Sequence, residues 1–195
     1  MSRIGVVALA LAIACGAAQA QTPPPATPSV DPGTKLNFGA TVGGANLERT
    51  VNHAGPPLNQ PDQGASYYYL ATPKRLVIAV QVYDGGRRVP QGSTSPIVTA
   101  EFSNELTSME QLIKGNGYTN FERPPVPSSC TYGATTFRCI TYGATSPTGR
   151  LYSKLLLTGY QGHFVKIRVD WSQSHQQSSA EAEAALQAFI PALMH

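Results

Sequence analysis

The sequence predicts an α+β fold: a largely antiparallel sheet carrying two main amphipathic helices, arranged as an α/β sandwich. Three observations lead there. The strand-like segments mostly follow one another through short turns, whereas parallel pairing would require a long crossover after each strand. Two segments, 95–115 and 178–193, carry apolar residues at spacings of three and four, the stripe of a helix lying on a sheet. With 42% hydrophobic and 13% charged residues in 195, the chain can fill one core but hardly two.

The order of elements begins with an address. Arg3 precedes an apolar run from Ile4 to Ala14, and Ala18-Gln19-Ala20 places small residues where a signal peptidase requires them. Residues 1–20 therefore read as a secretory signal peptide, the mature chain starting at Gln21 in the periplasm or outside the cell. Ala12-Ile13-Ala14-Cys15 offers an alternative, a bacterial lipobox that would anchor the protein through Cys15, but Ala12 fits the pattern poorly. The run is too short to span a bilayer, and nothing later approaches the ~20 apolar residues that a spanning helix needs. Residues 21–34 contain five prolines and read as an extended tether. A single domain then occupies 35–195.

Within the domain, Lys35 to His53 reads as one or two weak strands broken by glycines, followed by a Gly-Pro loop from Gly55 to Gly64. Ser66–Ala71 and Arg75–Tyr83 are clearer strands. Leu76, Ile78, Val80 and Val82 share one face, and Val77 and Ala79 on the other suggest a strand covered on both sides at its centre. Ser95-Pro96 opens the first helix, with Val98, Phe102, Leu106, Met109, Leu112 and Ile113 inward and Gly115 as its stop. Glu110 and Lys114 are spaced to pair on its exposed side.

In an oxidising compartment Cys130 and Cys139 are expected to pair, since a turn centred near Ala134 and Thr135 folds the segment into a hairpin that sets them opposite each other. Thioredoxin-like chemistry would want closer spacing at a helix start, so the bridge reads as structural. Arg150–Thr158 and His163–Trp171 form a second hairpin around Gly159 to Gly162. Ser178 and Glu181 make a capping box for a last helix, which turns Ala182, Ala185, Leu186, Phe189 and Leu193 inward, and Pro191 should fray or bend its final turn.

This order of elements, the size, the secretory leader and the closing amphipathic helix together resemble the PsbP/Mog1-like α/β sandwich proteins across about Lys35 to His195. The resemblance implies binding or assembly assistance without chemistry, and it carries over no functional residue.

No sequence motif points to catalysis. Gly-x-Ser-x-Gly and the phosphate-cradling Gly-rich loop are absent. His53, His163, His175 and His195 have no metal-binding spacing, so no metal and no cofactor is expected. His163 sits at a hairpin mouth, but Asp170 has the opposite parity on the same strand, which disfavours a dyad. Glu101 with Glu105, and Glu181 with Glu183, read as solvated helix surface rather than as converging acids. A net charge of +3, or +2 without the leader, and the lack of a basic run argue against nucleic acid.

The better candidates are for recognition. Tyr67 and Tyr69 stand out among the strand tyrosines, because such rings bury large area at small entropic cost. Phe164, Lys166, Arg168 and Asp170 share one face of the last strand and Val165, Ile167, Val169 and Trp171 the core face, so Lys166 and Arg168 could meet an anionic partner together with Arg150 or Lys154, as the hairpin register decides. The sequence therefore reads as a secreted bacterial protein that binds an extracytoplasmic protein or envelope component, or assists envelope assembly, without catalysis. His163, Tyr67, Tyr69, Lys166 and Arg168 are its candidate binding residues. The alternatives are an envelope or extracellular hydrolase and an inhibitor or immunity-type protein. Oligomeric state is left open.

Overall fold

The computed structural model describes residues 27–73 and 76–195. The cleavage site, Cys15 and the first half of the tether lie outside the described residues.

Among the described residues, eleven strands and two long helices make an α+β fold. They are β1 (Ser29–Val30), β2 (Asn37–Phe38), β3 (Thr41–Val42), β4 (Ala45–Asn52), β5 (Ala65–Ala71), β6 (Leu76–Tyr83), α1 (Pro96–Gly115), β7 (Thr119–Glu122), β8 (Ser128–Tyr132), β9 (Thr135–Ser146), β10 (Gly149–Tyr160), β11 (His163–Ser172) and α2 (Ser179–Leu193). Nine strands form one antiparallel sheet in the order β3-β4-β5-β6-β11-β10-β9-β7, with β8 also on β9. The 12-residue β9 is long enough for its outer edge to take β8 along one half and β7 along the other. Gln161 and Gly162, with φ of 50° and 84°, turn β10 into β11 by the two-residue loop that suits the strands' twist.

Each helix covers one face. On the first, Val98, Phe102 and Leu106 of α1 meet Tyr83, Ile140, Leu155, Leu157 and Phe164. On the second, Leu186, Phe189 and Leu193 of α2 join a larger core with Tyr69, Ile78, Val80, Leu156 and Ile167. Strand alternation thus feeds two cores from one sheet. Ser95 accepts from the Val98 amide at 3.2 Å to cap α1, and Pro96 loses no bond at its first position. The helix stops because Gly117, not Gly115, takes the left-handed conformation, at φ 75°. Tyr118 N–H reaches Ile113 O and Gly117 N–H reaches Lys114 O, satisfying carbonyls the helix leaves open. The Ser178–Glu181 capping box of α2 is complete, and the helix runs on through Pro191 to Leu193.

Several expectations are corrected. The domain begins before Lys35: β1 pairs with β2, and the Asp31 carboxylate accepts from the Thr34 amide and hydroxyl, both at 2.7 Å. A proline-rich composition favours extension but does not prevent this turn, which packs against the His163 ring at Gly33. Cys130 and Cys139 sit at disulfide distance, with Cα atoms 6.1 Å apart, yet they are diagonal rather than opposite. Cys130 faces Phe137 and Cys139 faces Ser128, because the turn falls on Gly133-Ala134, one residue earlier than the symmetric loop requires. Val77 is 39% exposed, since α1 lies over β7, β9 and β10 and leaves that end of β6 uncovered. No helix among the described residues is long and apolar enough to cross a membrane.

Candidate functional site

The uncovered part of the α1 face is a cleft of about 820 Å³ between the flank of α1 and the strands β5, β6 and β11. Its floor follows from the sheet register. Ser66, Gln81 and Lys166 form one row across the three strands, and Tyr68, Ala79 and Arg168 form the next. The same strands turn Tyr67, Tyr69, Ile78, Val80 and Ile167 to the α2 core, so one sheet carries a polar floor on one side and an apolar core on the other.

The cations of the floor already have partners. Lys166 Nζ lies 2.8 Å from Glu105 Oε1 of α1, and Arg168 lies 3.0 Å from Asp170. Burial works against the Arg168 charge, but the Asp170 carboxylate together with the Tyr142 and Tyr68 hydroxyls outweighs it and raises the pKa. Glu105 also accepts from the Tyr83 hydroxyl at 3.3 Å, and Glu101 accepts the same hydroxyl at 2.9 Å while pairing with Arg87 at 3.1 Å. Glu101 and Glu105 therefore point at the sheet and fasten the helix rather than forming solvated surface. Tyr83 is only 2% exposed, and burial followed by the two carboxylates holds its pKa well above the usual phenol value.

One end of the cleft holds a pair that the sequence did not reveal. His53, just beyond β4, and Ser66 on β5 are 5% and 6% exposed, with His53 Nε2 2.8 Å from Ser66 Oγ. Burial, aided by the Lys166 charge, lowers the His53 pKa and keeps the ring neutral. His53 Nδ1 and Gln60 Oε1 are buried without a hydrogen-bond partner among the described residues. The pair is brought together by a loop that returns on itself, with His53 N–H on Gly64 O at 2.9 Å and Gln60 N–H on His53 O at 2.7 Å.

No family model matches this chain, and no curated protein matches it. The site must be read from its own geometry.

Of the candidate binding residues, only Lys166 and Arg168 reach the cleft. Tyr67 and Tyr69 are 4% and 1% exposed: Phe38 stacks on Tyr67 at 3.5 Å and Phe189 packs edgewise on Tyr69 at 4.9 Å, leaving no ring surface for a partner. Tyr68 between them faces the cleft instead, with the Arg49 guanidinium 4.1 Å from its ring centre. His163 packs on Gly33, on the face opposite Lys166, and its Nδ1 meets Gln161 O at 3.0 Å. Arg150 and Lys154 also lie on that opposite face, since Leu155 and Leu157 are the residues aligned with Arg168 and Lys166. Lys154 is spoken for there by Glu183 of α2 at 2.7 Å and the Tyr132 hydroxyl at 2.8 Å. Burial opposes the Lys154 charge, yet these partners together raise its pKa.

Among the described residues, no three His, Cys, Asp or Glu side chains gather as a metal-holding group. Besides Asp62 and the apolar Ala79, Leu155, Met109 and Leu112, the remaining lining includes neutral hydrogen-bonding groups: Asn104, Ser108 and Gln111 from α1, and Gln63, Gln81 and Tyr68 from the sheet side. Such a surface can orient a polar ligand, and its charges are largely spent on one another.

Proposed function

We propose that this is a secreted, periplasmic bacterial protein that binds an envelope component without transforming it, and that the cleft beside α1 is its binding site. The observation that carries this reading is the cleft itself: about 820 Å³ of space lined by both polar and apolar groups, in which both floor cations are already paired. A site of this size suits a small molecule or a short polymer segment. The leader ending at Ala20, the disulfide-distance cysteines and the resemblance to PsbP/Mog1-like accessory proteins support the location and the non-catalytic role.

One observation favours a second reading, a hydrolase. Ser66 and His53 are within hydrogen-bond distance, as a nucleophile and its base would be. Against it, His53 Nδ1 lacks, among the described residues, the carboxylate or carbonyl partner that orients the imidazole in such sites.

Intact mass of the exported protein tests the location, with a chain starting at Gln21 expected and a lipidated Cys15 refuting free solubility. For the cleft, the protein purified from its own envelope is expected to retain a small component, seen by native mass spectrometry, that Ser108→Trp excludes by filling the space. Turnover in an esterase and amidase screen that Ser66→Ala abolishes would overturn the non-catalytic reading.

A further inference from the structure

The chemistry of the cleft walls goes beyond the existence of a site and indicates what the site selects. On α1, Asn104, Ser108 and Gln111 follow one another at spacings of four and three, so they form a polar stripe on the helix flank facing the cleft. At ~1.5 Å of rise per residue this ladder of amide, hydroxyl and amide extends over about 10 Å. None of these three side chains is engaged by another group among the described residues. Opposite them, Gln81 donates to Gln63 O at 3.0 Å and to Gln63 Oε1 at 3.3 Å, which fixes a second amide pair on the sheet wall. Each amide offers two donors and an acceptor with two lone pairs, and each hydroxyl offers both roles.

Charge tells against ionic ligands. An anion recruited by Lys166 or Arg168 would displace Glu105 or Asp170 and leave a half-buried carboxylate unpaired. Asp62, exposed at the rim, adds a negative charge and further disfavours a polyanion. The apolar part of the lining is larger in exposed area than the polar part and includes Ala79 and Leu155 on the sheet, Met109 and Leu112 on the helix, and the Tyr68 ring. Interleaved with the hydrogen-bonding side chains, these groups suit the C–H faces of a sugar ring. Peptides are usually held by adding a strand to a free sheet edge or by filling apolar pockets. Here β5, β6 and β11 are interior strands whose backbone groups are already paired.

Resting on the binding reading above, we infer that the cleft between α1 and the β5–β6–β11 floor recognises an uncharged polyhydroxylated chain, a neutral oligosaccharide, with Asn104, Ser108, Gln111, Gln63 and Gln81 reading its hydroxyls.

Calorimetric titration of the exported full chain tests this with four probes: cellotetraose and chitotetraose as neutral saccharides, tetragalacturonate as the anionic counterpart, and tetra-alanine as a peptide. At least one neutral saccharide is expected to bind with Kd of about 1 mM or tighter, tetragalacturonate at least about 10-fold more weakly. Asn104→Trp, at an exposed helix position, should weaken the neutral saccharide at least about 10-fold without shifting the thermal midpoint. Gln111→Ala should weaken it several-fold. Equal or tighter binding of tetragalacturonate, saccharide binding indifferent to Asn104→Trp, or no saccharide binding up to ~10 mM would overturn the inference. If tetra-alanine alone binds and Asn104→Trp prevents it, the ligand class falls while the binding cleft stands. If none binds and Ser66-dependent turnover is found, both fall.

Discussion

Replacing Tyr83 by Phe removes one oxygen and tests how α1 is held to the sheet. The hydroxyl is buried and has two acceptors, Glu101 Oε1 at 2.9 Å and Glu105 Oε1 at 3.3 Å, but only one proton, so the two distances describe one shared bond to charged groups. A bond of that kind contributes about 1.5–3 kcal/mol, and its loss also leaves two carboxylates four residues apart without the donor between them. Arg87 and Lys166 still neutralise them, which places the cost at about 2 kcal/mol. For a chain of this size that corresponds to a fall of roughly 4–8 °C in Tm. A pH signature separates the bond from mere packing. The folded Tyr83 pKa is raised, so the unfolded chain loses this proton first, and the contribution is complete below the ordinary phenol value near 10.0 and drains away above it. Urea titrations at pH 9 to 11 should therefore show an alkaline slope in ΔG that is smaller in Tyr83→Phe by one proton's share, about 1.4 kcal/mol per pH unit. Wild-type stability in Tyr83→Phe, within about 0.5 kcal/mol at pH 7, or an unchanged alkaline slope, would refute the bond's role in fastening the helix.

Two further outcomes concern the hairpin and the cleft. Replacing both Cys130 and Cys139 by Ala should cost about 2–3 kcal/mol for so short a loop while the far-ultraviolet circular dichroism stays native; two titratable thiols in the unreduced wild type would contradict the bridge. His53 has a folded pKa below its ordinary value of 6.5, so the unfolded chain takes up the proton first, and stability declines as pH falls through 6.5 until the folded value is passed. His53→Asn should flatten that acid slope in denaturant titrations between pH 7.5 and 5, and an unaltered slope would mean the ring is not held neutral by its burial.

What the sequence disclosed depended on whether the information was local. The stripe of α1, the capping box of α2 and the alternation in β6 and β11 are periodicities within one segment, and they place the elements and their buried faces. Tyr67-Tyr68-Tyr69 shows the limit. Alternation states that the middle ring opposes its neighbours but not which side is core; that is settled by Phe38 and Phe189, about 30 and 120 residues away from them in the chain. Lys166 and Arg168 were visible as a cationic face, yet their charges are answered by Glu105 on another element and by Asp170 on the same one. His53 and Ser66 became neighbours only through the β4–β5 register and a loop whose glycines and prolines gave no sign of its path.

The two faces of the sheet also say why the cleft is a site rather than a place where packing ran short. β5, β6 and β11 supply both faces, and toward α2 they present Tyr67, Tyr69, Ile78, Val80 and Ile167. Had the α1 side merely lacked a covering helix, the same strands would be expected to show aliphatic residues there, an exposed apolar patch prone to association. They show Ser66, Tyr68, Gln81, Lys166 and Arg168 around Ala79, with Val77 exposed at the end of β6 beyond them. The helix opposite agrees with them: its apolar stripe through Phe102 and Leu106 is used on Ile140, Leu155 and Leu157, while the adjoining flank carries Asn104, Ser108 and Gln111. Two walls from separate parts of the chain interleave hydrogen-bonding side chains with Ala79, Leu155, Met109 and Leu112 where they face each other. Closing the space would bury the Asn104, Ser108 and Gln111 side chains, which have no partner among the described residues, and that cost works to keep it open to water and hydrogen-bonding ligands.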